Sequence, residues 1–159
     1  MTDKPRLDAI DRHILRTLHR QGRIRNIDLA ALVNITPPPC LRRTQALERA
    51  RFIRGYHATL DASRLGYEAM GFVTIMLVSQ TREALEVFEA SVLQVAAVRD
   101  CVALSGEIDF LLRCVAPDEG ALHALVSGTL ARLPGVKDVQ MSPIVRSVVK
   151  YGDFPNGAP

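Results

Sequence analysis

Three prolines in succession, Pro37, Pro38 and Pro39, restrict this chain more than any other feature. Proline has no backbone N–H and a fixed φ, so a run of three can enter a helix only through its first turn. Thr36 precedes the run as an N-cap, and Cys40 to Arg49 continue it with helical spacing. Before it, Asn26 serves as the N-cap of a shorter helix carrying Ile27, Leu29, Ala30, Leu32 and Val33. Asn34-Ile35 supplies a tight turn, since Asn tolerates left-handed angles. Two short helices joined this way form a helix-turn-helix, whose second helix enters the DNA major groove.

A step of about 100° per residue divides the second helix into faces. Cys40, Leu41, Thr44 and Leu47 fall on the packing side; Pro38, Pro39, Arg42, Ala46 and Arg49 fall opposite, with Arg43 and Gln45 on the flanks. Arg reads guanine and Gln reads adenine bidentately, and either can hold phosphate. The expected DNA-contacting set is therefore Asn26, Thr36, Pro38, Pro39, Arg42, Arg43, Gln45, Ala46 and Arg49. Arg23 and Arg25 flank the first helix within reach of phosphate. A solvated basic face would look the same in isolation, so charge distribution matters. Residues 1–54 hold twelve Lys/Arg against five Asp/Glu, formally +7, whereas residues 55–159 hold eight against twelve, formally −4. The net +3 conceals a basic module joined to an acidic one.

Upstream, Asp8 and Asp11 form a box-like cap for a helix carrying Leu7, Ile10, Ile14, Leu15 and Leu18 and ending near Gly22. Residues 1–6 read as a loose arm. Residues 52–60 read as a strand bent at Gly55, a wing or a lead into the polar 61–68 segment, which is the expected linker. Beyond it come an apolar strand over 70–78, a helix capped by Thr81 with Leu85, Phe88, Val92 and Leu93 on one face, and strands over 98–104 and 109–115 around a Ser105-Gly106-Glu107 turn. A helix from Pro117-Asp118 with Leu122, Leu125, Val126, Leu130 and Leu133, the Pro134-Gly135 turn and a last strand over 136–149 complete the order. This is β-α-β-β-α-β, a ferredoxin-like arrangement, so the fold class is mixed α/β (α+β): a helix-turn-helix domain over 1–60, a linker over 61–68, a ferredoxin-like domain over 69–151 and a tail over 152–159. The first strand is apolar at nearly every position, not at alternate ones, which predicts burial of both sheet faces and hence a homodimer. Phe72 or Met76 is expected at its interface, depending on the side the helices cover.

Cys40, Cys101 and Cys114 lack metal-ligand spacing, and the expectation is buried thiols in a reducing compartment. The start of the chain has no apolar signal segment and no stretch is long enough to span a bilayer, so a cytoplasmic location is expected. Met70, Met76 and Met141 read as core fillers.

The ordered set Leu7 to Leu15 (LDAIDRHIL), Gly22-Arg23-Ile24, Leu29-Ala30, Thr36 to Arg43 (TPPPCLRR), Leu47-Glu48, Ile53-Arg54-Gly55-Tyr56, Ser105 to Asp109 (SGEID) and Leu133 to Val136 (LPGV) resembles the Lrp/AsnC family of bacterial and archaeal transcription factors. The resemblance runs from about residue 7 to 151 and looks closest to the leucine-responsive branch. It implies a dimer built through the C-terminal domains, with assembly to tetramers, octamers or higher. It also implies an amino-acid effector held between dimers near Ser105, Gly106, Glu107 and Asp109. There the two carboxylates would meet the effector ammonium and backbone N–H groups its carboxylate. Ile108 stands where an aromatic residue is common and Ser147 where an acidic one is frequent, which leaves the effector's identity open. No cofactor or metal is implied. Two other readings stand beside this one. An architectural protein would bind DNA with little sequence preference. An enzyme would use Glu107 and Asp109 as acid, base or metal ligands, but no His or Cys lies near them in sequence and no nucleophile–base motif is present.

Overall fold

The computed structural model describes residues 6–148. The expected arm over 1–6 lies outside them apart from Arg6, as do the end of the expected last strand and the 152–159 tail. The described chain forms two compact units, divided between Thr59 and Leu60.

In the first unit, α1 (Ala9–Arg20), α2 (Asn26–Leu32) and α3 (Pro37–Arg49) close around Ile14, Leu29, Ala30, Val33, Cys40 and Leu47. Asp8 and Asp11 cap α1 reciprocally: Asp8 Oδ1 accepts the Asp11 N–H at 2.8 Å and Asp11 Oδ2 accepts the Asp8 N–H at 3.3 Å. The α2–α3 turn runs through Asn34 at φ +55°, as its side chain permits. Helix α2 begins one residue earlier than its sequence cap implies. Arg25 occupies the N-cap position, and Asn26 is the first helical residue, its amide instead donating to the Pro37 carbonyl at 2.9 Å. Thr36 caps α3 by backbone conformation alone, without a side-chain bond. At the other end of α3, the Arg51 and Phe52 N–H groups return to the Glu48 and Leu47 carbonyls, both at 3.0 Å. That Schellman closure puts Arg51 at φ +61°, in the left-handed region where Gly is usual.

Residues 53–60 form no strand, and 54–60 are exposed throughout. A strand needs a neighbour to complete its ladder, and among the described residues this segment has none. The 61–68 segment, expected as the linker, is locally structured. It winds into a 3-10 turn (Ser63–Leu65) closed by Gly66 at φ +85°, with Ser63 Oγ donating to Glu68 Oε1 at 2.8 Å and the Glu68 N–H to the Pro117 carbonyl at 3.2 Å.

The second unit is one antiparallel sheet of order β2-β3-β1-β4, with β1 Ala69–Leu77, β2 Val98–Ala103, β3 Phe110–Ala116 and β4 Val136–Pro143. Helix α4 (Arg82–Val92), capped by Thr81, and a segment beginning as α5 (Glu119–Ala124) cover one face. Beneath them lie Val73, Ile75, Leu77, Phe110, Leu112 and Cys114, joined by Phe88, Val92, Leu122 and Leu130. The Phe88 and Phe110 rings meet at a centroid distance of 4.6 Å. At Gly71 a Cβ would stand 3.2 Å from Leu122 Cδ2 and 3.3 Å from the Ser142 carbonyl, so glycine lets α5 sit close on β1.

Three expectations change here. Leu93 lies past the end of α4 and is 80% exposed, leaving the apolar face to Leu85, Phe88 and Val92. The helix after Pro117 does not continue as α: it widens into a π segment (Leu125–Thr129) and tightens to 3-10 (Leu130–Arg132). The widening coincides with Gly128 and with Ser127, whose hydroxyl donates back to the His123 carbonyl at 2.9 Å. Strand β4 stops at Pro143, opposite Gly71, because β1 has almost no length left to pair and proline brings no N–H.

Candidate nucleic-acid interface and effector loop

Helix α3 presents Pro38, Leu41, Arg42, Gln45, Ala46 and Arg49 to solvent, with Pro39 half-buried. Arg42, Gln45 and Arg49 lie along one side at i, i+3 and i+7, the spacing of a stripe that can follow a groove. Leu41, expected in the core, is 47% exposed; Cys40 and Leu47 alone carry the buried contact of this helix. Since Pro37, Pro38 and Pro39 have no N–H, and the Cys40 N–H already donates to the Thr36 carbonyl at 3.3 Å, the α3 N-terminus cannot gather a phosphate on backbone amides. Anion contact at this helix must come from side chains.

Three basic or polar groups expected at DNA are engaged within the protein. The Arg43 guanidinium donates through one nitrogen to Asp8 Oδ2 at 2.7 Å and Asp11 Oδ1 at 2.8 Å. Those bonds raise its pKa, while the Asp11 N–H first and Arg43 second hold the Asp8 carboxyl below its usual range. Arg25 forks onto Asp28, with Nε and Nη2 donating at 2.7 and 3.0 Å. Asn26 is committed to Pro37 through its amide. Further along, the Tyr56 hydroxyl donates to Glu48 Oε1 at 2.8 Å, tying the end of α3 to the segment that follows. Apart from the local Arg25–Asp28 pair, a single sequence does not reveal these links, because each partner is named by the fold.

In the second unit, residues 104–109 join β2 to β3. The loop is closed by the Leu104 N–H donating to the Asp109 carbonyl at 2.8 Å. Ser105, Gly106 and Glu107 form its exposed apex, and Gly106 has φ +133° with open space where a Cβ would stand. Asp109 does not share that exposure. It is 7% exposed; its Oδ2 accepts the Leu77 N–H at 2.7 Å and its own N–H donates to the Ile75 carbonyl at 3.0 Å. Its expected role as a partner for an effector ammonium therefore gives way to a structural one, and Glu107 is the loop's exposed carboxylate.

The uncovered sheet face carries Met70, Phe72, Thr74 and Met76 from β1, flanked by Leu111 and Arg113 on β3. Phe72 and Met76 are four residues apart and so lie on the same face, not on alternative ones. Among the described residues no His, Cys, Asp and Glu group is arranged for a metal ion, and no helix is long and apolar enough to cross a membrane. Cys40 and Cys114 are buried and Cys101 partly so, all as free thiols whose pKa values burial pushes up, that of Cys114 to about 11.

Residues 7–54 match the family described as winged helix-turn-helix DNA-binding, and residues 70–154 match the Lrp/AsnC ligand binding domain. The leucine-responsive regulatory proteins of Salmonella typhimurium and Escherichia coli K12 are each 39% identical over 142 residues, 89% of this chain and 87% of theirs. Among solved structures, a transcriptional regulator from Neisseria meningitidis in complex with L-Met superposes with a TM-score of 0.88 at 34% identity, covering 94% of this chain and 97% of that one. An AsnC family transcriptional regulator from Agrobacterium tumefaciens gives 0.85 at 31% identity, with the same coverage.

Proposed function

The chain belongs to the Lrp/AsnC family of DNA-binding transcriptional regulators, and on that premise we propose that it binds DNA through the Arg42–Gln45–Arg49 side of α3 as a homodimer responsive to an amino acid. The observation that carries the DNA reading is this exposed stripe on a helix whose opposite side holds Cys40 and Leu47. Thr36, Pro38, Pro39 and Ala46 line the approach and supply shape and small apolar contacts. Arg42→Ala should cost about 1–3 kcal/mol in binding and relax preference at one base pair if the contact is to a base. Unchanged binding would remove α3's proposed orientation.

The effector reading is supported by the 105–107 apex. Its Glu107 carboxylate is exposed to meet an ammonium group, and the turn at Gly106 leaves room for a carboxylate against backbone N–H groups. A relative at 34% identity holds L-Met, which favours the amino-acid class without naming the member used here. The relatives are regulators rather than enzymes, consistent with a loop that binds and does not turn over its ligand. The dimer reading is supported by the uncovered sheet face, where Phe72 is 43% exposed beside Met70, Met76 and Leu111; stacking a second copy on it would remove that apolar surface from water. The direct test is a thermal-shift screen of the twenty amino acids, since a ligand that prefers the native state raises the melting temperature. No response to any of them would overturn the amino-acid assignment.

A further inference from the structure

Every oxygen of the Asp8 and Asp11 carboxylates is in use. One oxygen of each closes the α1 capping box, and the other accepts from the same Arg43 nitrogen. Asp11 is 17% exposed and Arg43 35% exposed, so this cluster is a partly desolvated joint between the start of α1 and the middle of α3. The joint restrains the rotation of α3 about its own axis, alongside the buried Cys40 and Leu47. With Arg43 pinned to α1, the helical step of about 100° sets where Arg42, Gln45, Ala46 and Arg49 point. Two further bonds hold α3 at its ends, the Asn26 amide on the Pro37 carbonyl and the Tyr56 hydroxyl on Glu48. Neither of these restrains the middle of the helix.

We infer that Arg43 is not a DNA contact but a positioning residue, which acts with Asp8 and Asp11 to set the azimuth of the recognition helix and hence its discrimination between sequences. This rests on the reading that α3 presents Arg42 and Arg49 to DNA. Its chemical signature is a sign reversal. Neutralising two aspartates in a basic DNA-binding domain should tighten DNA binding if only net charge matters, because phosphate attraction rises. If the joint positions the helix, the same change should weaken recognition.

The variant Asp8→Asn/Asp11→Asn keeps the caps, since Asn caps a helix as well as Asp and retains a carbonyl acceptor, yet it removes both counter-charges from Arg43. Its binding is measured to a duplex selected from a random-sequence pool by the wild-type protein, and to an unselected duplex of equal length. The expected result is a loss of about three- to tenfold on the selected duplex with no loss on the unselected one, so that the ratio of the two falls. Arg43→Gln should lower the same ratio while leaving the dependence of affinity on salt unchanged. A phosphate contact would flatten that slope by about one unit. Arg43→Lys, which keeps a charge without the guanidinium, should retain more discrimination than Arg43→Gln. Tighter binding of the double variant to both duplexes, or a flattened slope in Arg43→Gln, would overturn the proposal. Arg42→Ala in the same assay separates the two layers. If it leaves the selected duplex bound as before, the α3 face is not the reading surface and the positioning role falls with it. If Arg42→Ala weakens binding and the double variant does not, only the positioning role fails.

Discussion

The Asp109 carboxylate accepts the Leu77 backbone N–H at 2.7 Å, at the point where the β1–β4 register shifts between Met76 and Leu77. The β1–β3 ladder ends at the Ile75–Phe110 pair, short of Leu77, and the Asp109 side chain supplies the acceptor that β3 no longer offers. Asp109→Ala would leave the Leu77 N–H buried without a partner, at a cost of about 1–3 kcal/mol. Asp109→Asn keeps an acceptor and should cost less. Urea unfolding of both variants checks the order, and equal stabilities would show that the bond contributes nothing.

Arg51 holds a left-handed conformation to close α3, a position that disfavours side chains other than Gly and Asn. Arg51→Gly should stabilise the first unit by about 1 kcal/mol, read as a raised melting temperature. A lower melting temperature would mean that the Arg51 side chain contributes more than its backbone strain removes.

Partial desolvation of the phenol and its bond to Glu48 together push the Tyr56 pKa up to about 12. A raised value in the folded state favours the protonated phenol. Its contribution to stability is thus fully present below the unfolded value of about 10 and is lost as pH rises through 12. The tyrosinate absorbance of the wild type minus that of Tyr56→Phe should titrate near the upper value. A difference curve centred near the lower one would count against the bond.

Phe72 is the large aromatic residue of the uncovered sheet face. Phe72→Glu would bring a charge into a dimer built on that face, at a cost of several kcal/mol. Sedimentation should therefore show a folded monomer for the variant and a dimer for the wild type. Equal association states would move the interface elsewhere.

What could be read from the sequence was local. The Asp8–Asp11 box, the turn at Asn34, the Thr81 and Asp118 caps and the succession of strands and helices along the chain depend on residues within a few positions of one another, and pattern alone exposes them. What escaped depends on distant partners. Arg43 lies 32 residues from Asp11 and Asp109 lies 32 from Leu77, so a charged group that seemed ready for a ligand was already satisfied inside the protein. The error at 52–60 has a similar origin: β-rich composition marks a segment able to pair, but the ladder requires a neighbour.

The proline run at the head of α3 also acts before the protein folds. Pro37, Pro38 and Pro39 have their φ angles fixed in the unfolded chain, so the first turn of α3 surrenders little backbone entropy when it orders. Each such residue is worth about 0.4–1 kcal/mol where its native angles are unstrained. If α3 is the reading helix, the free energy of arranging its first turn is therefore supplied by the chain itself and not by a bound duplex.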